Sequence, residues 1–309
     1  MDKKTERLVD VARMYYEQDR TQSEIADQYG ISRPMVSKLL KEARDKGIVT
    51  IRISAPQEES GGALSLMELV GRCFGIYDGV AVPDGPNDQT TNEAVAEAAI
   101  SYLSGLGGTG LGIGWGHIIG DVVKHMEQRE TLVPIGTFVC PLIGNGGVGL
   151  KNYHSNELVR SIAEHSGAQP RFIYSPACVL SEQELKLTRE LDSYHEIYHI
   201  WEKLDVALVN IGNFPSVPDF ASEARYGDQL IRQKAVGRIL NYFMDSQGHI
   251  IRSDTDYAIQ IPLELLSGTR HVVGICSANT SPKAFRGALK TGYLKHFIAP
   301  EHVVREALE

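Results

Sequence analysis

TQSEIADQYGISRPMVSKLLK, residues 21–41, decides how the first part of this chain folds. Two short helical patterns meet at Gly30. Ile25, Ala26 and Tyr29 give the first an apolar face, and Val36, Leu39 and Leu40 give the second. That spacing marks amphipathic helices. Gly30 stands where a tight turn needs a left-handed backbone, which glycine adopts at little cost. Ala26 is small where two helices must cross closely. Ser32 is placed to N-cap the second helix, which leaves Arg33, Ser37, Lys38 and Lys41 facing outward. The layout predicts a helix-turn-helix whose second helix enters the major groove of double-stranded DNA. Its expected recognition surface is Ser32, Arg33, Pro34, Ser37, Lys38 and Lys41, with Gln22 and Ser23 near the DNA backbone.

On the N-terminal side, Leu8, Val11, Ala12 and Tyr15 recur at helical spacing and predict a third helix packed on the other two. On the C-terminal side, IVTIRI (48–53) changes to period two, the pattern of a strand or wing. APQEESGGA (55–63) reads as a linker, with proline, two glycines and charges between periodic segments. Residues 64–74 resume a helical pattern. The expected division is a DNA-binding domain at 1–54, a linker at 55–63 and a larger domain at 64–309.

A chain of 309 residues fits two such domains, and its 42% hydrophobic content can fill a substantial core. The net charge of −8 is unevenly spread. Residues 1–53 carry 11 Lys and Arg against 9 Asp and Glu, while the rest carries 20 against 30. The acidic mass therefore lies away from the DNA-reading end, where a local basic face matters more than the total. Cys73, Cys140, Cys178 and Cys276 are far apart and in apolar contexts. They read as free, buried thiols of a cytoplasmic protein. No signal sequence and no membrane-length apolar run is visible, so no membrane association is expected.

Beyond Asp78 short apolar runs alternate with helical patterns. Strands are expected at 79–82, 110–114, 135–142, 171–174, 206–211, 259–261, 271–276 and 296–298, and helices at 91–103, 118–129, 155–166 and 282–291. This alternation predicts an α/β domain with a doubly wound, mainly parallel sheet, whose ligands sit at the carboxyl ends of the strands.

GLGGTG (105–110) has dinucleotide-fingerprint spacing, but a helix precedes it and a strand follows, so it reads as a helix stop. HEIYH (195–199) matches a zinc-protease pattern, yet no third ligand segment follows, and it reads as an amphipathic crossover helix. The turn Gly114-Trp115-Gly116-His117 is better placed, between a strand and a helix start whose free N–H groups favour an anion. Gly144-Asn145-Gly146-Gly147 falls at the same edge. Lys283 follows a third strand at a helix start, where an ammonium suits a phosphate or carboxylate. Asp245, in NYFMDSQG, fits either sugar hydroxyls or a turn.

These segments, in this order, resemble the SorC family of bacterial sugar-responsive transcriptional regulators. The likeness runs from the helix-turn-helix through LGIGWG, VCPLIGNGG, NELVRSIAEHSGA, DVALVNIG and KAVGRILNYFMDSQGHII to VVGICSANTSPKAFRGALKTGYLKHFI, nearly the whole chain. The resemblance implies a sensor domain related in fold to sugar-phosphate isomerases and deaminases, and homo-oligomers, usually tetramers; a homo-oligomer (dimer or tetramer) is expected, with no cofactor or metal. It implies a small carbohydrate effector, typically a phosphorylated sugar, near Gly114, Trp115, Gly116, His117 and Lys283, with Asp245 matching an acidic residue of the family; Asn145 joins them as a residue of the same sheet edge. The chain departs from the family pattern at His117-Ile118, where a hydroxyl is common, at Ala278-Asn279 in place of paired glycines, and at Arg238 in place of an acid. A sugar phosphate and an unphosphorylated sugar, polyol or sugar acid are both compatible. The rival reading is a sugar-phosphate isomerase or deaminase fused to a DNA-binding module, and it needs a carboxylate base paired with a histidine or lysine.

Overall fold

The computed structural model describes residues 3–16, 18, 20–46, 48–49, 65–147, 149–216 and 225–309. Two compact units divide the chain, residues 1–63 and 64–309. The expected linker at 55–63 and most of the expected wing, 50–53, lie outside the described residues. Ile48 and Val49 form no strand and pack against Leu8, Ala12 and Ala43.

The first unit is built from helices α1 (Lys3–Tyr16), α2 (Gln22–Tyr29) and α3 (Arg33–Asp45). Thr21 starts α2 with a reciprocal cap: its hydroxyl accepts from the Glu24 N–H at 3.3 Å, and the Glu24 carboxylate accepts from the Thr21 N–H at 2.8 Å. Gly30 ends α2 at φ 61, the left-handed turn its position called for. Val11, Ile25, Ala26, Val36 and Leu40 then form one buried cluster. Ser32 holds the N-cap position of α3, but contrary to expectation its hydroxyl makes no capping bond. Pro34 has no N–H to offer, and the Met35 N–H goes to the Ser32 carbonyl at 2.9 Å.

The second unit is one sheet. Its strands are β1 (Asp78–Val82), β2 (Gly110–Ile113), β3 (Phe138–Pro141), β4 (Gln169–Pro170), β5 (Val206–Asn213), β6 (Gly237–Ile239), β7 (Tyr242–Met244), β8 (His271–Ile275) and β9 (His296–Pro300). The order is β1-β9-β8-β5-β2-β3-β4, parallel throughout, and β6 and β7 add an antiparallel hairpin to β5. Helices cover it: α4 (Leu66–Phe74) packs on β1 and on Glu301–Leu308, α5 (Asp88–Leu106), α6 (His117–Glu127) and α7 (Ser155–Ser166) pack side by side, and Pro282–Lys290 packs on Glu301–Leu308. Every residue of β2 and β9 is buried, as expected of a parallel sheet shielded on both faces.

Connections from β2 run outward through β3 to β4. Those from β5 run the other way, through β8 to β9. The direction reverses between β2 and β5, and a crevice opens there at the carboxyl ends.

Two expected strands are absent. Residues 171–174 are irregular, the strand being the preceding pair Gln169–Pro170, and 259–261 contributes one isolated bridge, Ile143 to Gln260. HEIYH falls on helix α9 (Asp192–Trp201), which leads into β5; Ile197 and Trp201 are buried, and His199 pairs with Glu202 at 2.8 Å. Cys140 and Cys276 are buried, and burial pushes both thiols well up, but Cys73 is exposed and Cys178 only half-buried, which corrects the expectation that all four are buried. Among the described residues no helix is long and apolar enough to cross a membrane.

Candidate functional site

In the first unit, Val36, Leu40 and Ala43 turn inward from α3, which leaves Ser32, Arg33, Pro34, Ser37, Lys38 and Lys41 exposed together. Met35 joins them at 46% exposure. A surface groove lined by Tyr15, Tyr16, Arg20, Thr21, Gln22, Ser23 and Arg33 runs where the three helices meet. Polar side chains and a helix start on one concave face suit phosphate contacts, and an exposed helix beside them suits base edges.

In the second unit, a cavity of about 490 Å³ occupies the β2–β5 crevice, within the usual range for small-ligand sites. After β2 come Gly116, His117, Ile118 and Asp121. Strand β5 supplies Asn210 to Asn213, and the loop beyond it supplies Pro215 and Ser216. After β8 come Ser277, Asn279 and Thr280. Asn92 enters from α5, Arg238 from β6 and Tyr153 from the turn before α7. Amides and hydroxyls dominate, with one guanidinium, one carboxylate and one imidazole.

Gly116 makes the first turn work. It sits at φ 115 as the N-cap of α6, its N–H donating to the Asn152 carbonyl at 2.8 Å. A Cβ there would also come within 3.4 Å of the Asn210 amide nitrogen. His117 lies edge-on to Tyr153, with centroids 5.6 Å apart. Burial raises the Asp121 pKa against the pull of His125, Lys124 and His117. Asn210 is 8% exposed, and its Oδ1 has no hydrogen-bond partner among the described residues. Arg238 is 5% exposed; its stem lies over Gly212, its Nη1 donates to Asn241 Oδ1 at 3.2 Å, and the guanidinium stands 6.0 Å from the Phe243 ring.

Of the seven residues expected at the effector site, only Gly116 and His117 line this cavity. Gly114 is buried, its N–H bonded to the Leu208 carbonyl. Trp115 is wholly buried behind Tyr153, edge-to-face at 5.8 Å. Asn145 pins the chain after β3, accepting from the Asn156 N–H and donating to the Ile173 carbonyl, each at 3.3 Å. Asp245 shapes its own turn, accepting from the N–H groups of Gln247 and His249 at 2.8 and 3.0 Å. Lys283 is exposed in the first turn of Pro282–Lys290 and is not in the cavity wall. Sequence reasoning missed Asn92, Asp121, Tyr153, Asn210 and Ser277, and met Arg238 only as a departure from the family pattern. Asn210 alone carried a signal, as a polar residue inside the apolar strand DVALVNIG. Among the described residues no group of three or more His, Cys, Asp or Glu stands together to hold a metal ion.

Comparison with known proteins agrees with both halves. A sugar-binding domain family matches residues 59–309, and sigma-70 region 4 matches residues 5–46. The sorbitol operon regulator of Klebsiella pneumoniae is 31% identical over 300 residues, 93% of this chain and 92% of that protein. The deoxyribonucleoside regulator of Bacillus subtilis is 27% identical, over 99% of this chain and 98% of that protein. The crystal structure of full-length SorC from K. pneumoniae covers 100% of both chains, with a TM-score of 0.71 at 27% identity.

Proposed function

This chain belongs to the SorC family of sugar-responsive transcriptional regulators, and from that premise we propose that its effector is a small carbohydrate held in the β2–β5 crevice. The observation that carries the reading is the cavity wall. Asn92, Asn210, Ser216, Ser277, Asn279 and Thr280 surround a switch-point crevice with hydroxyls and amides, the groups that exchange hydrogen bonds with sugar hydroxyls. The names of the relatives, one tied to sorbitol and one to deoxyribonucleosides, support a polyol or sugar ligand.

Helix α3 is the proposed reader of operator DNA, with Arg33 aimed at a base edge and Lys38 and Lys41 at phosphates. One such helix reads few base pairs, so the working form is a homo-oligomer on a dyad-symmetric operator. Helix α8 (Glu182–Glu190) supports this: none of its residues is buried, and Leu180, Leu187 and Leu191 are 86%, 56% and 51% exposed around it. Effector binding then changes DNA affinity through two arrangements that it binds unequally. The relatives are regulators, and the domain acts here as a sensor rather than an isomerase or deaminase. The reading is tested by selecting DNA sites with the full chain and measuring their affinity across a panel of sugars and polyols. A DNA affinity indifferent to every one of them would count against it.

A further inference from the structure

We propose that Met35 is a base-reading residue of α3: its thioether side chain packs against the C5-methyl group of a thymine in the major groove, at a base pair next to the one that Arg33 meets. The inference rests on α3 being the reader of operator DNA, and it names one base that the helix selects. Thymine alone among the four bases carries that methyl group, and it lies in the major groove, so an apolar side chain held against it discriminates at one position.

Every other large apolar side chain of α3 and of the turn before it is drawn inward. Val36 and Leu40 are buried, and Ile31 and Leu39 pack against the same cluster. Met35 stands apart from that cluster; among the described residues of the first unit it is the only large apolar side chain that is exposed. A single exposed apolar residue on an arbitrary surface means little. This one has a setting. At about 3.6 residues per turn, Pro34, Lys38 and Lys41 run along the outward line of the helix, with Arg33 and Ser37 on one flank and Met35 on the other. All six are exposed. The N-terminal part of a recognition helix is the part that contacts base edges. Arg33 and Met35 therefore straddle the outward line in the first turn and face different base pairs.

The first turn of α3 is built poorly for a phosphate. Pro34 has no N–H, and the N–H groups of Met35 and Val36 both go to the Ser32 carbonyl, at 2.9 and 3.2 Å. What the turn offers instead is apolar surface from Pro34 and Met35, set between cations. A thioether donates no hydrogen bond and accepts only weakly. A cytosine amino group or a guanine O6 pressed against it would lose its water and gain no partner, whereas a methyl group gains contact. The unbranched methionine chain adapts to an irregular base edge.

The test uses the full chain and the tightest duplex recovered by selecting DNA sites with it. Each thymine of a half-site is replaced in turn by uracil, which pairs as thymine does and lacks only the methyl group. The expected result is that one such replacement weakens binding by about fourfold, the ~0.8 kcal/mol of one buried CH₂ equivalent. That loss should vanish in Met35→Ala and persist in Met35→Leu, which is equally apolar, each variant being checked for folding by circular dichroism. Arg33→Ala should bind more weakly overall and keep the same relative loss. The loss should also be the same at low and high salt, since no phosphate contact changes with the methyl group. A parent indifferent to every uracil, or an equal loss in the parent and in Met35→Ala, would overturn the assignment of Met35 while leaving α3 the reader. Parent-like affinity in Met35→Ala, Arg33→Ala and Lys38→Ala together would overturn the reading of α3, and this inference with it.

Discussion

His302 Nε2 lies 2.9 Å from the Ala278 carbonyl oxygen, tying helix Glu301–Leu308 to the loop that walls the crevice. The other ring nitrogen, Nδ1, meets the Asp84 carboxylate. A carbonyl and a carboxylate only accept, so His302 serves both at once only as an imidazolium.

This geometry makes stability depend on pH. Burial alone would lower the His302 pKa, but the Asp84 hydrogen bond and charge, the Ala278 carbonyl and Glu306 outweigh it, and the pKa is raised. A raised histidine contributes stability that is fully present below its unfolded value, ~6.5, and lost as pH rises through the folded value. Thermal midpoints from neutral to mildly alkaline pH should therefore fall for the parent relative to His302→Gln. Parallel curves would refute the link. Burial lowers His271 and His296, whose contributions change on the acid side of the same unfolded value, outside this window.

The two caps of the helix-turn-helix should separate stability from DNA binding. Thr21→Ala removes a reciprocal cap and should cost ~1 kcal/mol of first-unit stability. Ser32→Ala removes a hydroxyl that caps nothing, and should leave the denaturation midpoint within ~0.5 kcal/mol while weakening DNA binding. Equal destabilisation by both would show that Ser32 caps in solution.

Arg33→Ala should cost ~1–3 kcal/mol of operator affinity and relax preference at one base pair, as expected for a side chain on a guanine edge. Lys38→Ala and Lys41→Ala should weaken all sites alike and flatten the salt dependence by roughly one phosphate each. Parent-like titrations for all three would remove α3 from the interface.

Trp115 and Asp121 should behave as core and cavity residues respectively. Trp115→Ala empties space behind Tyr153 and should cost ~3–5 kcal/mol of stability. Asp121→Asn keeps shape and should weaken effector binding with little loss of stability. The opposite pattern would exchange their roles.

The first unit was legible because its signals are local. Apolar spacing and a left-handed glycine lie within about one helix length of each other, and each was visible as residue type; the cap was not, since Ser32 is the residue expected to cap and Thr21 is the one that does. The strands of the second unit were legible wherever a buried run was long enough. The β6–β7 hairpin was not: its strands are three residues each, and Leu240 takes φ 53 at the turn with no glycine to mark it. The cavity was the least legible part. Its wall gathers residues from separate elements, and Asn92 meets Ala278 across 186 positions. The glycine-rich turns do follow the strands β2 and β3, but the same pattern also arises where a turn must admit Trp115 into the core. A Cβ on Gly146 would lie 3.1 Å from that ring. Asp245 carried the same ambiguity, since a carboxylate that could meet hydroxyls also closes a turn on its own backbone.

The central claim is that a carbohydrate in the β2–β5 crevice controls DNA binding by α3. It is tested most directly by measuring operator affinity against concentration of the best-binding sugar, for the parent and for Asn210→Ala. The account predicts that the two proteins bind operator equally well without sugar and that only the parent's affinity responds at low sugar concentration. A response at the same sugar concentration in both would contradict it.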